Sequence, residues 1–185
     1  MRIITGQYKG RHFDIPRTFK ARPTTDFAKE NIFNVLTALV DFDGATALDL
    51  FSGTGSITLE LVSRGCQQVV SVELDRDHHR FICDCLKRLD THACTPLRAD
   101  VFRFVKTCRL QFDLVFADPP YALPQLGTLP DLVLGRNLLK PGGVLVLEHG
   151  KDHDFGQHPC FMDHRSYGSV NFSIFSPQKV DLRQE

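Results

Sequence analysis

The sequence predicts an α/β fold in which helices cover both faces of a mostly parallel β-sheet. From residue 45 onward, short apolar runs alternate with segments whose apolar residues recur at helical spacing. This alternation is typical of strand–helix–strand units, whose parallel strands are buried on both faces. Two further strand-like runs, separated by a short loop around Tyr167 and Gly168, predict an antiparallel hairpin at one edge of the sheet.

The length and composition fit one ordinary globular domain. The chain has 185 residues, of which 42% are hydrophobic and 24% are charged. Its apolar stretches are all shorter than the roughly 18 to 20 residues that a membrane-spanning helix needs. We therefore expect a cytoplasmic protein that has no membrane partner, and a monomer is our default expectation for its oligomeric state.

The first 40 residues differ from the rest and are expected to form an N-terminal extension of the same compact unit as 41–185. Residues 1–15 have the pattern of a β-hairpin with a glycine-containing turn at 6–10. A proline-containing loop follows at 16–25, and the polar residues at its end are N-cap candidates for a helix over 27–39.

The alternating part predicts five strands connected by helices, followed by the two strands of the edge hairpin. The strands are predicted at 45–51, 68–73, 95–99, 112–117, 144–148, 160–165 and 170–175. The connecting helices are predicted at 57–64, 76–89, 101–107 and 126–138, the last one ended by Pro141, Gly142 and Gly143. Seven strands in all are expected to form the sheet.

Right-handed crossovers place the carboxyl ends of parallel strands at one edge of a sheet, and ligands of doubly wound sheets bind at that edge. Acidic residues lie at or directly after four of these predicted strand ends: Asp49, Glu73, Asp100 and Asp118. We expect them to lie near one another at a ligand site.

The segment after Asp49 contains a glycine turn, with Phe51, Gly53 and Gly55 at alternate positions. It lacks the third glycine of a dinucleotide-binding loop and the Lys-Ser/Thr of a triphosphate-binding loop. Glycines allow a tight turn and close approach of a ligand to the backbone. A turn of this kind with an acid upstream of it suits a ligand with an ammonium group, although a plain strand-to-helix turn would also use glycine.

Two further acids suit a nucleoside. Glu73 ends its strand and can accept hydrogen bonds from ribose hydroxyls, although it can also be a solvated charge. Asp100 can accept from an adenine amino group, with the backbone of Val101 beside it, or it can cap the next helix, and the two roles are compatible. We place Phe51, Leu74 and Asp118 with these acids in the expected cofactor site.

The most specific feature is Asp118-Pro119-Pro120-Tyr121. The two prolines stiffen the loop and remove two N–H donors, which leaves the carboxylate and the peptide carbonyls as acceptors. Acceptors suit the amino group of a nucleic-acid base, whose nitrogen lone pair is delocalised into the ring. The aromatic ring of Tyr121 can stack on such a base. The alternative is a proline-rich turn beneath a surface tyrosine.

These features resemble the class I methyltransferase superfamily with its Rossmann-like sheet, and the Asp-Pro-Pro-Tyr sequence resembles that of its amino-group methyltransferases. The N-terminal part is similar to the bacterial 16S rRNA guanine-N2 methyltransferases that modify position 966 of the small-subunit RNA. The matching positions are Arg2-Ile3-Ile4, Gly6, Gly10-Arg11, Arg22-Pro23-Thr24-Thr25-Asp26, Glu30, Phe33-Asn34 and Leu36. The likeness continues through Asp49-x-Phe51-x-Gly53-x-Gly55, Ser63-Arg64-Gly65, Glu73, Asp118-Pro119-Pro120-Tyr121 and Tyr167-Gly168, and so covers nearly the whole chain.

The resemblance implies direct transfer of a methyl group from S-adenosyl-L-methionine to the exocyclic N2 of a guanosine in 16S rRNA, as naked RNA or in a small ribosomal subunit particle. Asp118, Pro119, Pro120 and Tyr121 are then the expected catalytic residues. Two alternatives remain open. One is an adenine-N6 methyltransferase acting on DNA or RNA, and the other is a non-catalytic RNA-binding module with a methyltransferase fold.

The charge distribution also favours an RNA partner. The formal net charge is zero, but residues 1–29 contain seven basic and two acidic side chains. We expect Lys9 and Arg11 to contact RNA phosphates, and Arg22, Thr24 and Thr25 to border the target pocket.

No metal site is predicted. The six cysteines include no Cys-x-x-Cys pair. The histidines and acids between 149 and 158 lack a fixed ligand spacing, and we expect them to be solvated loop residues.

Overall fold

The computed structural model describes residues 1–19 and 25–177. In these ranges the strands are β1 (Thr46–Leu50), β2 (Gln68–Glu73), β3 (Cys94–Arg98), β4 (Phe112–Ala117), β5 (Leu139–His149), β6 (Phe161–Tyr167) and β7 (Val170–Phe175). The helices are α1 (Asp26–Leu36), α2 (Ser56–Ser63), α3 (Arg76–Leu89), α4 (Val101–Thr107) and α5 (Leu129–Gly135), with a 3₁₀ turn at Leu126–Thr128.

The strands form one seven-stranded sheet in the order β3-β2-β1-β4-β5-β7-β6. The strands β1 to β5 are parallel to one another, whereas β7 is antiparallel to both β5 and β6. The predicted fold class is confirmed, including the antiparallel hairpin at the edge.

Successive residues of β1 contribute to different faces of the sheet, as a strand covered on both sides requires. Ala47 is buried in a cluster with α1 and α2, and Leu48 is buried in a cluster with α4 and α5. A third cluster joins Ile3 and Phe13 of the N-terminal segment to Ile82 of α3.

The predicted N-terminal hairpin is present but short. Arg2 and His12 form an antiparallel bridge, and the N–H groups of Ile3 and Phe13 donate across it to the carbonyls of Arg11 and Met1, at 3.0 and 2.9 Å. The pairing goes no further than this, because the carboxylate of Glu60 in α2 accepts from the backbone N–H groups of Ile4 and Thr5, at 2.8 and 3.1 Å. In a longer hairpin the Thr5 donor would have faced the second segment. Further along, Gln7 donates through its backbone N–H to the carbonyl of Ser63 at 2.8 Å.

Glu60 is fully buried and belongs to a charged network that fastens the N-terminal segment to α2. Its Oε1 accepts from Arg64 Nε at 2.9 Å, and its Oε2 lies 3.9 Å from Lys29 Nζ. Lys29 Nζ also donates to the Arg2 carbonyl at 2.7 Å and to Ser56 Oγ at 3.0 Å. Burial lowers the pKa of the Lys29 ammonium.

Several predicted bounds differ from the structure by one or two residues, and three predictions were wrong by more than that. Helix α1 ends at Leu36 rather than at residue 39. The helix predicted over 126–138 is split, because Pro130 lacks the N–H that a continuous helix needs and stands instead in the first turn of α5. The segment 141–143 does not end a helix but forms an irregularity inside β5, whose register against β4 shifts between Phe112 and Leu114.

Candidate active site

The four acids Asp49, Glu73, Asp100 and Asp118 lie at one edge of the sheet. Backbone hydrogen bonds connect the chain segments that contain or follow them. The N–H of Asp118 donates to the carbonyl of Leu50 at 3.2 Å. The N–H of Ser52 donates to Val72 and that of Ala99 donates to Glu73, both at 3.1 Å. The chain segments that follow β1, β2, β3 and β4 are therefore neighbours, as the sequence predicts.

The glycine turn adopts backbone angles that glycine allows most readily. Phe51, Gly53 and Gly55 have positive φ values of 60°, 52° and 78°. A Cβ on Gly55 would stand 2.8 Å from Cγ1 of Ile82, so this glycine also lets α3 pack closely. Gly53 has open space around it, and its N–H donates to Glu73 Oε2 at 2.7 Å.

Asp49 is buried beneath this turn, and only one of its two carboxylate oxygens has a hydrogen-bond partner among the described residues. Its Oδ2 accepts from Thr58 Oγ1 at 2.5 Å. Its Oδ1 is buried and accepts no hydrogen bond within the described residues. Burial, partly opposed by the hydrogen bond from Thr58, raises the pKa of the Asp49 carboxyl to about 7. An unsatisfied buried acceptor at a ligand edge is an unusual feature that a bound donor would relieve.

Glu73 and Leu74 occupy the end of β2. The Glu73 carboxylate accepts from the N–H groups of Gly53 and Asp75, both at 2.7 Å, and so fixes the glycine turn. Each carboxylate oxygen has a further lone pair for a ligand hydroxyl. The side chain of Leu74 is 64% exposed, which is high for leucine and leaves an apolar surface beside the acid.

Asp100 caps α4, as one of its two predicted roles requires. Its side chain accepts from the N–H of Arg103 at 2.9 Å, and Val101 is buried at the start of the helix. Phe51, directly after β1, lies near α4, and the centre of its ring is 6.2 Å from that of Phe102 in this helix. The expected cofactor residues are thus brought to a common edge.

The Asp118–Tyr121 loop stands at the end of β4. Pro119 is buried, Pro120 is exposed, and the Pro120 carbonyl accepts from the N–H of Leu123 at 2.8 Å. Tyr121 is 45% exposed, and its hydroxyl donates to Glu148 Oε1 at 2.9 Å. Burial and the nearby Glu148 carboxylate raise the pKa of the Tyr121 phenol.

The expected substrate residues are more dispersed. The Thr25 side chain caps α1 by accepting from the N–H of Ala28 at 3.2 Å. Lys9 is exposed, and Arg11 donates to the carbonyl of Arg88 at 2.9 Å, near the end of α3. Because α3 begins at the site edge and has 14 residues, this contact lies roughly 20 Å from that edge. Arg22 and Thr24 lie outside the described residues.

One expectation about the histidines was wrong. His149 is not a solvated loop residue but the last residue of β5, and it is 1% exposed because β7 covers it. Burial lowers the pKa of its imidazole. In the described part of the chain, no three His, Cys, Asp or Glu side chains are grouped so that they could bind a metal ion. No helix among residues 1–19 and 25–177 has both the length and the apolar character needed to cross a bilayer.

Sequence reasoning missed Glu148, which is 5% exposed and contacts Tyr121. The available signal was a carboxylate at the end of an otherwise apolar strand, in the same position as the acids of β2 and β4. It also missed Thr58 as the partner of Asp49, although a threonine three residues after Gly55 is placed on the first turn of α2.

The family model and the relatives that this chain is similar to indicate one family. The model of the family described as "Conserved hypothetical protein 95" matches residues 1–176. Ribosomal RNA small subunit methyltransferase D of Haemophilus influenzae is 33% identical over 185 residues, which cover 95% of this chain and 93% of the relative. The protein of the same name from Escherichia coli K12 is 32% identical, over 80% of this chain and 71% of the relative.

Among solved structures, a 16S rRNA N2 methyltransferase from Thermus thermophilus in complex with AdoMet and guanosine has the same fold. It superposes with a TM-score of 0.68 at 20% identity, over 86% of this chain and 45% of that chain.

We predict that Asp49→Asn changes the pH dependence of stability. Burial raises the pKa of the Asp49 carboxyl in the folded protein to about 7, well above the usual value for aspartate, so folding favours the protonated form. Stability from this residue is therefore present at low pH and is lost as the pH rises from about 4 to about 7. Asparagine never ionises, so the free energy of unfolding of the variant should rise relative to wild type by roughly 3 kcal/mol between pH 5 and pH 8. Urea unfolding of both proteins across this range measures the difference, and parallel curves would contradict the prediction.

Proposed function

The chain belongs to the family of ribosomal RNA small subunit methyltransferase D, and we propose that it transfers a methyl group from S-adenosyl-L-methionine to the N2 amino group of a guanosine in 16S rRNA. The strongest support is that two features lie together at one edge of the sheet. The hydrogen-bond acceptors of the Asp118–Tyr121 loop lie beside the glycine turn, and beneath this turn Asp49 Oδ1 is buried and accepts no hydrogen bond from the described residues.

The residues at this edge fit the cofactor. Asp49 Oδ1 is a buried acceptor without a partner among the described residues, and the ammonium group of the methionine part would supply one. Glu73 has lone pairs for the ribose hydroxyls, and Asp100 can accept from the adenine amino group. Leu74 and Phe51 offer apolar surface to the adenine ring. When bound, S-adenosylmethionine supplies an electrophilic methyl group on a sulfonium centre.

The Asp118–Tyr121 loop would orient the amine that attacks. The carboxylate of Asp118 and the neighbouring carbonyls accept from the N–H groups of the base, which favours lone-pair density toward the methyl group. The prolines offer no competing N–H donors. Tyr121 stacks on the base and excludes water from one side. Positioning of this kind can remove several kcal/mol from a bimolecular barrier without a covalent enzyme intermediate.

The choice of guanosine rests on the named relatives, because an adenine amino group would offer similar donors to Asp118. The relatives from Haemophilus influenzae and Escherichia coli are named for the small ribosomal subunit, and the Thermus thermophilus structure for N2 of 16S rRNA. We also propose that the enzyme acts as a monomer and that the transfer needs no metal ion. Arg22, Thr24 and Thr25 would border the target pocket.

We predict that Asp118→Ala separates chemistry from cofactor binding. The variant loses the main acceptor for the target amine, so kcat for rRNA should fall by about 100-fold or more. The Kd for S-adenosylmethionine should stay within about threefold, because Asp49, Glu73 and Asp100 remain. Single-turnover kinetics and calorimetry measure the two quantities. Equal losses in kcat and cofactor affinity would show that Asp118 is only a cofactor ligand.

Lys9 and Arg11 are distant from the target edge, so we propose that they contact RNA phosphates outside the pocket. Replacing both with alanine should weaken RNA binding at low salt and reduce the slope of log K against log salt by about one to two. Lys106→Ala, at the exposed end of α4, is the matched control. Filter binding between low and moderate salt measures the slope. An unchanged slope would remove these residues from the RNA interface.

A further inference from the structure

Tyr121 is fixed at its hydroxyl by a residue of another strand. Its hydroxyl donates to Glu148 Oε1 at 2.9 Å, and Glu148 lies in β5 with only 5% of its surface exposed. The backbone of β5 pairs with β4 on one side and with β7 on the other, so Glu148 belongs to an interior strand whose position both neighbours fix. Tyr121 itself belongs to the loop after β4.

The ring of Tyr121 is also supported from below by Gly150. A Cβ built on Gly150 would stand 3.3 Å from Cδ2 of Tyr121 and 3.8 Å from both of that atom's ring neighbours, Cγ and Cε2. The distances to Cγ and Cε2 are equal and only slightly longer than the distance to Cδ2, which places the Cβ above the face of the ring. A Cβ that approached Cδ2 in the plane of the ring would be distinctly farther from Cγ and Cε2. Glycine therefore lets one face of the ring lie against the backbone, and the exposed part of Tyr121 belongs to its remaining surface.

The position of Gly150 is in turn fixed by His149. The imidazole Nδ1 lies 2.7 Å from the Gly150 carbonyl, and Nε2 lies 2.8 Å from Ser173 Oγ in β7. The carbonyl can only accept, so Nδ1 carries a proton. Burial lowers the pKa of His149 and so favours the neutral ring, in which Nε2 accepts from Ser173.

From this geometry we propose that Glu148 is a positioning residue, which with Gly150 fixes the Tyr121 ring at the angle where its free face can stack on the target base. The proposal rests on the proposed function, since it presumes that Tyr121 meets the base. A half-exposed tyrosine on a loop would otherwise sample several rotamers, and misplacement of a stacking surface lowers the fraction of bound substrate in a reactive geometry.

The first experiment needs no substrate. The chain has no tryptophan and three tyrosines, so tyrosine emission can be recorded directly. An excited phenol is a stronger acid than in the ground state and is quenched when it is hydrogen-bonded to a carboxylate. Glu148→Gln should therefore increase the emission, Tyr121→Phe should leave it almost unchanged, and the double variant should return to the wild-type level.

The second experiment is a double-mutant cycle with 16S rRNA or small-subunit particles that lack the modification. Glu148→Leu, which leaves no acceptor where glutamine would keep one, and Tyr121→Phe should each lower kcat by about tenfold, and the double variant should be no worse than either single one. KM for the particle and Kd for S-adenosylmethionine should change by less than about twofold. Gly150→Ala, whose methyl group would push on the ring, should lower kcat in the same way. Gly135→Ala, which has open space, is the matched control.

These outcomes separate the inference from the function. If the wild type methylates rRNA, but emission is unchanged by Glu148→Gln or the two single effects multiply, the positioning role is wrong. A tenfold loss in Glu148→Leu beside full activity in Tyr121→Phe would also overturn it. If the wild type transfers no methyl group to rRNA, the proposed function itself is wrong, whichever way the emission changes.

Discussion

β1 lies between β2 and β4 and is parallel to both, and the candidate site exists because of this pairing. Parallel pairing requires all three strands to end at the same edge, where their acids, Asp49, Glu73 and Asp118, then meet. It also explains the apolar character of the strands, since helices must cover both faces of a parallel sheet. A register shift of one residue would turn these side chains to the opposite face.

The site contains polar groups whose burial opposes stability. Asp49 has a buried oxygen without a partner among the described residues, whereas the equally buried Glu60 is satisfied by two backbone N–H groups and Arg64. The difference separates a group that a ligand would complete from one that serves the fold. Burying an unsatisfied carboxylate is destabilising, and natural proteins accept such local conflicts mainly where they bind or react.

The sequence predicts an element well where its signal is local. The bounds of β2, α3, α4, β4 and β7 coincide with the predicted ranges, because caps, glycine stops and apolar runs lie within them. The failures have non-local causes. Glu60, more than 50 residues away, accepts from the backbone N–H of Thr5 and so keeps the N-terminal hairpin short. Strand β5 extends back across Pro141 because β4 pairs with Leu139.

The same distinction applies to the site. The acids and glycines of the strand ends are recognisable because they recur at similar places along the chain. Glu148 also stands near a strand end, but its role depends on Tyr121 in the loop after another strand, and that of His149 depends on Ser173 in β7. Only the assembled sheet shows these contacts.

The most direct measurement is to identify the nucleoside that this protein labels with methyl-tritiated S-adenosylmethionine. The acceptors are small-subunit particles and 16S rRNA from cells that lack the modification, offered beside duplex DNA and protein. The account predicts label in N2-methylguanosine at a single position of 16S rRNA. Label in N6-methyladenosine, or only in DNA or protein, would contradict the assignment of the target amine to guanosine.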